Sequence, residues 1–405
     1  MRPLWLRISL LNFLLAASLG ALLRYAFVEE ISWLKFYHVM HAHSHVAMLG
    51  WLYLALYALL IGAFLKPEQQ AAPFYSRLFW VTELSVLGML FTFPFFGYGP
   101  FSGGFSLLHV ACSWLFIRRF WRDLGPDKAF SARLVRTAFG FMVLSALGIF
   151  LLLVFAIGHL KHSGLFYMSV QFFLHFQFNG WFLFALLALF FKMLEDQGLV
   201  FDTRRLKSFY WLLVLAGFLT YALAVAWSEP HTGVFAFNSV GVLVQLAALG
   251  VFYQIVWPHR KAIAAPLDGW VKALLLLALI CFSAKILIQT AVAIPFIAKA
   301  AYTIRNYVIG FFHLILLGMA TSFILGCAIR KGALSDRNLL ARLGLGFWVV
   351  GFLGSETLLL LQGTMLWAAM GFMPYYYEAL FGVSVLIPVG VGLITIPNLR
   401  PTASP

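Results

Sequence analysis

Tyr37-His38-Val39-Met40-His41-Ala42-His43-Ser44-His45-Val46-Ala47-Met48-Leu49-Gly50-Trp51 is the stretch on which the reading of this chain turns, and an apolar run continues from it to Leu65. A membrane span needs about 20 mostly apolar residues, and this segment supplies them, yet its first third carries four histidines. A polar side chain in hydrocarbon is costly unless it faces a partner or a cavity. At 100° per residue His38, His41 and His45 fall within about 60° of one face, while His43 points about 140° away from His38. One helix therefore offers imidazole to two sides. That suits two cofactors flanking the helix, or a haem on one side and a metal or proton route on the other, because neutral imidazole is a common ligand of iron, copper and zinc. The alternative is a protonatable outer-edge cluster without metal, to which His38 and His41, nearest the interface, are best suited.

The rest of the chain repeats the apolar pattern. Of 405 residues 63% are hydrophobic and 10% charged, with a mean hydropathy of +0.93. Such a sequence is that of an all-α polytopic membrane protein in a lipid bilayer. Windows of span length centre near Leu15, Tyr53, Leu87, Ala111, Ala146, Gly180, Leu219, Val244, Cys281, Gly318, Gly351 and Val389, which predicts about twelve transmembrane helices. The first also reads as a signal peptide, with Ala16-Ala17-Ser18 after a basic start, and is kept as a span because it completes the repeat described below. The net charge of +14 would suggest nucleic acid in a soluble protein; here it suggests basic cytoplasmic loops, and nucleic-acid binding is set aside. With the N-terminus inside, 22 of the 28 Lys and Arg residues fall in inside segments. Only Arg24, Lys35, Lys161, Lys299 and Arg305 fall outside, so both termini are expected to be cytoplasmic. No loop is long enough for a folded extramembrane domain, which confines any chemistry to the bundle or its outer mouth. Cys112, Cys281 and Cys327 lie in apolar runs with no C-x-x-C pair, so neither a disulfide framework nor a covalently attached haem is expected.

The motif recurs. His45 and Gly50 of the second span, His175 and Gly180 of the sixth, and His313 and Gly318 of the tenth all share the pattern His-x4-Gly. Each histidine lies four spans after its predecessor, the regular interval of an internal repeat. The chain thus reads as three pseudo-symmetric four-helix units over residues 1–130, 131–262 and 263–405. All three spans run outside to inside, with each histidine roughly 14 Å below the outer surface, and His109 of the fourth span at a similar depth. Ligation is one reading of the set; interhelical hydrogen bonding is the other.

His43-Ser44-His45-Val46-Ala47-Met48-Leu49-Gly50-Trp51 resembles the H-x-H-x-x-x-L-G-W pattern of a catalytic-subunit helix in cbb-type members of the haem-copper oxidase superfamily. The resemblance implies twelve spans in three arcs of four and two haems ligated by the two histidines, here His43 and His45. In those enzymes the pattern lies on the tenth span; here it lies on the second, with no adjacent His-His pair and no evident His and Tyr combination. In size the chain is nearer the NnrS family, haem- and copper-containing membrane proteins associated with nitric-oxide stress, whose W-H-A-H-E-M motif is similar to His41-Ala42-His43.

Taken together, His43, His45, His175 and His313 are the candidate cofactor ligands, with b-type haem as the expected cofactor and copper as a candidate second metal at His38, His41 and His109. Lys161, in the outer loop Gly158–Gly164 with His159 and His162, and Arg305 are candidates for contact with haem propionates. Glu83, Lys285 and Glu356 lie inside predicted spans and are candidates for proton transfer or a buried ion pair. The function expected is a redox or gas-binding membrane protein handling nitric oxide or oxygen, in the inner membrane of a bacterium. Electrons, if used, come from quinol or a partner protein, because the chain has no covalent haem domain and no visible copper-thiolate site. A metal or haem transporter or assembly factor, and a cofactor-free structural subunit, are the alternatives.

Overall fold

The computed structural model describes residues 2–399 apart from 159, 161, 162 and 268 and the side chain of Ala156. Twelve helices are long and apolar enough to cross a membrane: Pro3–Tyr25, Phe36–Phe64, Pro73–Phe96, Pro100–Leu124, Phe130–Phe155, Gly164–Glu195, Thr203–Ala226, Thr232–Ala264, Gly269–Ala291, Arg305–Arg330, Leu339–Trp367 and Tyr376–Leu399. Each contains one of the centres expected from the sequence, and no strand occurs among the described residues. The chain is an integral membrane protein of all-α class.

Local chemistry sets the helix ends. Pro3, Pro73 and Pro100 stand at first positions, where a missing N–H costs nothing. The Asp202 side chain accepts from the Arg204 N–H at 2.7 Å, and the Asn338 side chain accepts from the Leu340 N–H at 2.8 Å, so each caps the helix that follows it. Gly97 closes the third span with φ of 57°, a left-handed conformation that favours glycine.

The chain resolves into two compact units, Met1–Gly125 with Gly269–Leu275 and Leu316–Pro405, and Pro126–Asp268 with Leu276–Ile315. The ninth and tenth spans each contribute to both. Burial separates the spans by role. Windows of the second, sixth and tenth are 78%, 83% and 50% buried, against 28–44% for the other nine. The three helices carrying His-x4-Gly are thus the most enclosed, while the others keep lipid-facing sides.

Those three helices share a second feature. Each runs as an α-helix to its histidine and then changes to π-helix, over Val46–Tyr53, Phe176–Phe182 and Leu314–Thr321, before resuming as α-helix. In a π-helix each N–H bonds five residues back. A segment capped by His45 therefore sets the Gly50 N–H against the His45 carbonyl, and one capped by His175 does the same for Gly180. His-x4-Gly is the i, i+5 pair that opens a π turn.

Candidate functional site

The N-terminal half of the second span presents imidazole in two directions. His38, His41 and His45 face the third and fourth spans and the turn between them. The His41 and Tyr98 rings lie 4.5 Å apart, as do those of His45 and Phe93, and His38 Nε2 packs against Gly97. His43 faces the first span instead. Its Nδ1 donates to the Ala16 carbonyl at 2.8 Å, and its ring rests on Gly20, where an added Cβ would come within 2.9 Å of Cε1. His45 Nδ1 likewise donates to a backbone carbonyl, that of His41, at 2.8 Å.

Both bonds fix a tautomer. An imidazole that gives its Nδ1 proton to a carbonyl carries its lone pair on Nε2, the arrangement that metal-bound histidines adopt. His45 Nε2 faces the Tyr98 hydroxyl at 3.4 Å, which is a weak contact. Tyr98 was not evident in the sequence: it sits alone in the turn Gly97-Tyr98-Gly99, and only the fold returns that turn over the second span. A His and Tyr combination is therefore present in space although none was evident along the chain.

His109 is buried behind this face, its ring 4.7 Å from that of Tyr53 and its Nδ1 within 3.4 Å of the Ser113 hydroxyl. Its Nε2 makes no hydrogen bond of good geometry among the described residues. No three His, Cys, Asp or Glu side chains among the described residues are placed to hold one ion.

The sixth span is wired differently. His175 Nε2 donates to the Gly217 carbonyl at 2.8 Å, and Nδ1 faces the Asn179 amide at 3.3 Å. Its tautomer is opposite to that of His43 and His45, and both ring nitrogens are engaged by protein. Ligation through Nδ1 would require Asn179 to release it. His313 is half-buried at the end of the α-helical part of the tenth span, beside Phe312, whose ring packs on Phe178 at 5.3 Å. Arg305 opens the same helix, eight residues earlier. Lys161, His159 and His162 lie outside the described residues.

The intramembrane charges separate. Glu83 Oε2 accepts from Asn12 Nδ2 at 2.8 Å, and the same amide reaches the Gly50 carbonyl at 3.2 Å. Asn12, unremarked in the sequence, thus ties the first, second and third spans together at the π segment. Glu356 lies within electrostatic reach of Arg24 on the first span. Lys285 has no carboxylate within ion-pairing distance among the described residues. The second and tenth spans also meet at their π segments, where Trp51 Nε1 donates to Thr321 Oγ1 at 2.9 Å. Thr321 in turn donates to the Leu316 carbonyl five residues back, at 2.8 Å.

No family model matches the sequence, and no curated protein does so either. Among solved structures the chain aligns with a haem-copper terminal oxidase dimer determined by cryo-electron microscopy, over 99% of its own length and 85% of the other chain, at a TM-score of 0.74 and 13% identity. At that identity the likeness is one of fold. The chain is an integral membrane protein with a haem-copper oxidase-like fold.

Proposed function

We propose that this chain binds b-type haem in the outer half of its membrane domain and serves a redox or gas-binding role with nitric oxide or oxygen. The observation that carries the reading is the pair of imidazoles at His43 and His45. They leave one helix in different directions, each with Nδ1 bonded to a backbone carbonyl and its lone pair on Nε2. The fold likeness to a haem-copper terminal oxidase supports it, as does the motif resemblance. Haem, when bound, supplies an iron centre for electron transfer or for a diatomic ligand.

The protein's own contribution is orientation and exclusion. Ala16 and Gly20 hold the His43 ring, and the His41 carbonyl and Phe93 hold that of His45, next to the buried π segment that follows. His313 is a further candidate ligand, with Arg305 as a cation for a propionate. His175 is assigned a positioning role, since Gly217 and Asn179 already use its ring nitrogens. Copper stays a candidate second metal at His38, His41 and His109. The expected location is a bacterial inner membrane with both termini cytoplasmic, and quinol or a redox protein as electron donor.

The test is spectroscopic. The detergent-purified protein should show sharp dithionite-reduced absorption bands and stoichiometric iron. His43→Ala and His45→Ala should each diminish them, and His175→Ala should shift them less than either. Absence of haem, with exchangeable metal at the same histidines, would replace this reading by transport or cofactor assembly.

A further inference from the structure

The eighth and ninth spans enclose a polar seam that haem binding leaves unused. At one end Asn238 Nδ2 donates to the Val292 carbonyl at 3.0 Å and Ser239 Oγ to that of Ala293 at 2.7 Å. At the other the Phe252 and Phe282 rings meet at 5.4 Å, beside a 2.6 Å hydrogen bond between the Tyr253 and Ser283 hydroxyls. Gln245 lies two helical turns from both Asn238 and Phe252 and so shares their face. Lys285 and Gln289 occupy the turns of the facing helix between Phe282 and Val292. Val242, Val292 and Ala298 form an apolar cluster on the outer side.

Gln245, Lys285 and Gln289 are buried with polar atoms unmatched. Gln245 and Lys285 are 1% exposed and Gln289 6%. Gln245 Oε1, Gln289 Oε1 and Lys285 Nζ each lack a hydrogen-bonding group among the described residues. An ammonium only donates and an amide oxygen only accepts, so the two kinds of group are complementary, yet they do not touch. An ammonium in hydrocarbon with no partner is among the costliest groups a membrane protein can carry. A small molecule that accepts from the amine and donates to the amide oxygens satisfies all three at once, and water is the smallest that does both.

We propose that Gln245, Lys285 and Gln289 form a buried water-binding site in which bound water solvates the Lys285 amine and links it to the two amide oxygens. His175 lies within electrostatic reach of Lys285, so the site sets a hydrated amine beside the histidine of the sixth span.

The amine and the amides must then be coupled. Gln245→Leu with Gln289→Leu should move the unfolding equilibrium, measured in mixed micelles, about tenfold or more towards the unfolded state. With Lys285→Met already present, the same pair should move it less than about threefold, because no amine is left to solvate. The triple variant replaces the whole cluster by apolar groups and should fold. Hydroxyl-radical footprinting with X-rays, which marks residues beside bound water, should modify the segment 282–289 in the parent and not in the triple variant. Equal effects of the Gln pair in both backgrounds would overturn the proposal. So would a high-resolution map showing Lys285 Nζ bonded directly to an amide oxygen within about 3.2 Å, with no water between them.

Discussion

Replacing Asn12 with leucine should loosen the second span at its π segment. Asn12 is 2% exposed and its Nδ2 serves two acceptors, Glu83 Oε2 at 2.8 Å and the Gly50 carbonyl at 3.2 Å. A hydrogen bond to a carboxylate contributes about 1.5–3 kcal/mol, and the longer amide-carbonyl bond about 0.5–1.5 kcal/mol. Leucine is close in size and recovers some apolar contact, so the net loss should be about 2–4 kcal/mol. Glu83→Leu removes the first bond but not the second. In that background Asn12→Leu should cost only about 0.5–1.5 kcal/mol, which leaves a coupling of about 1.5–3 kcal/mol between the two sites. The protein carries its own reporter: Cys112, Cys281 and Cys327 are buried thiols, so a thiol-reactive fluorophore follows unfolding in mixed micelles without added labels. Additive costs, with a coupling below about 0.5 kcal/mol, would refute the reasoning, because the carboxyl would then be satisfied without Asn12.

A Cβ added at Gly180 would come within 2.5 Å of Phe141, so Gly180→Ala should cost about 1–3 kcal/mol, and Phe141→Ala should restore part of the loss in the double variant. A neutral Gly180→Ala in thermal unfolding would show that the π turn is not pressed against the fifth span. For orientation, Glu30→Cys should react with a membrane-impermeant maleimide in intact cells and Lys128→Cys only after lysis. The reverse pattern would invert the topology inferred from the basic residues.

The spans were legible because apolar length is a property of composition, and the run from Leu52 to Ile61, every residue of it buried, could scarcely be anything but a buried helix. The two-sided histidine ladder was legible for a similar reason: the angle between His43 and His45 follows from helical geometry alone. What lay beyond the sequence depends on packing. Asn12 is a single polar residue in an apolar run, and nothing along the chain shows that it meets Glu83 and Gly50. Tyr98 gains its neighbour only when the turn at Gly97 folds back. His175 stands in the same motif as His45, but its ring nitrogens are claimed by Gly217 and Asn179, residues whose proximity no spacing rule supplies.

The π segments explain why a motif can recur while its chemistry does not. In an uninterrupted α-helix residues five apart point about 140° from each other, so nothing in that geometry links a histidine to a glycine at i+5. Five-residue hydrogen bonding makes them the two ends of one bond, and the widened turn pushes the glycine backbone outwards. Gly50 meets Asn12 and Val86, and Gly180 meets Phe141, at distances where a Cβ would collide. The extra residue in the turn also offsets the helix below from the helix above by about 100°. The N-terminal half can then aim its histidine independently while the C-terminal half stays buried. The π turn is therefore a backbone feature shared by the three spans, and glycine is what the packing at Gly50 and Gly180 demands. The imidazole's capacity to ligate is set by another relation, the carbonyl or amide that each ring nitrogen meets. His43 and His45 meet carbonyls at Nδ1, whereas His175 meets one at Nε2. Exchanging the polar neighbours of His175, for instance by Asn179→Leu, should leave the π turn intact, with thermal unfolding little changed, and remove only the amide that faces Nδ1.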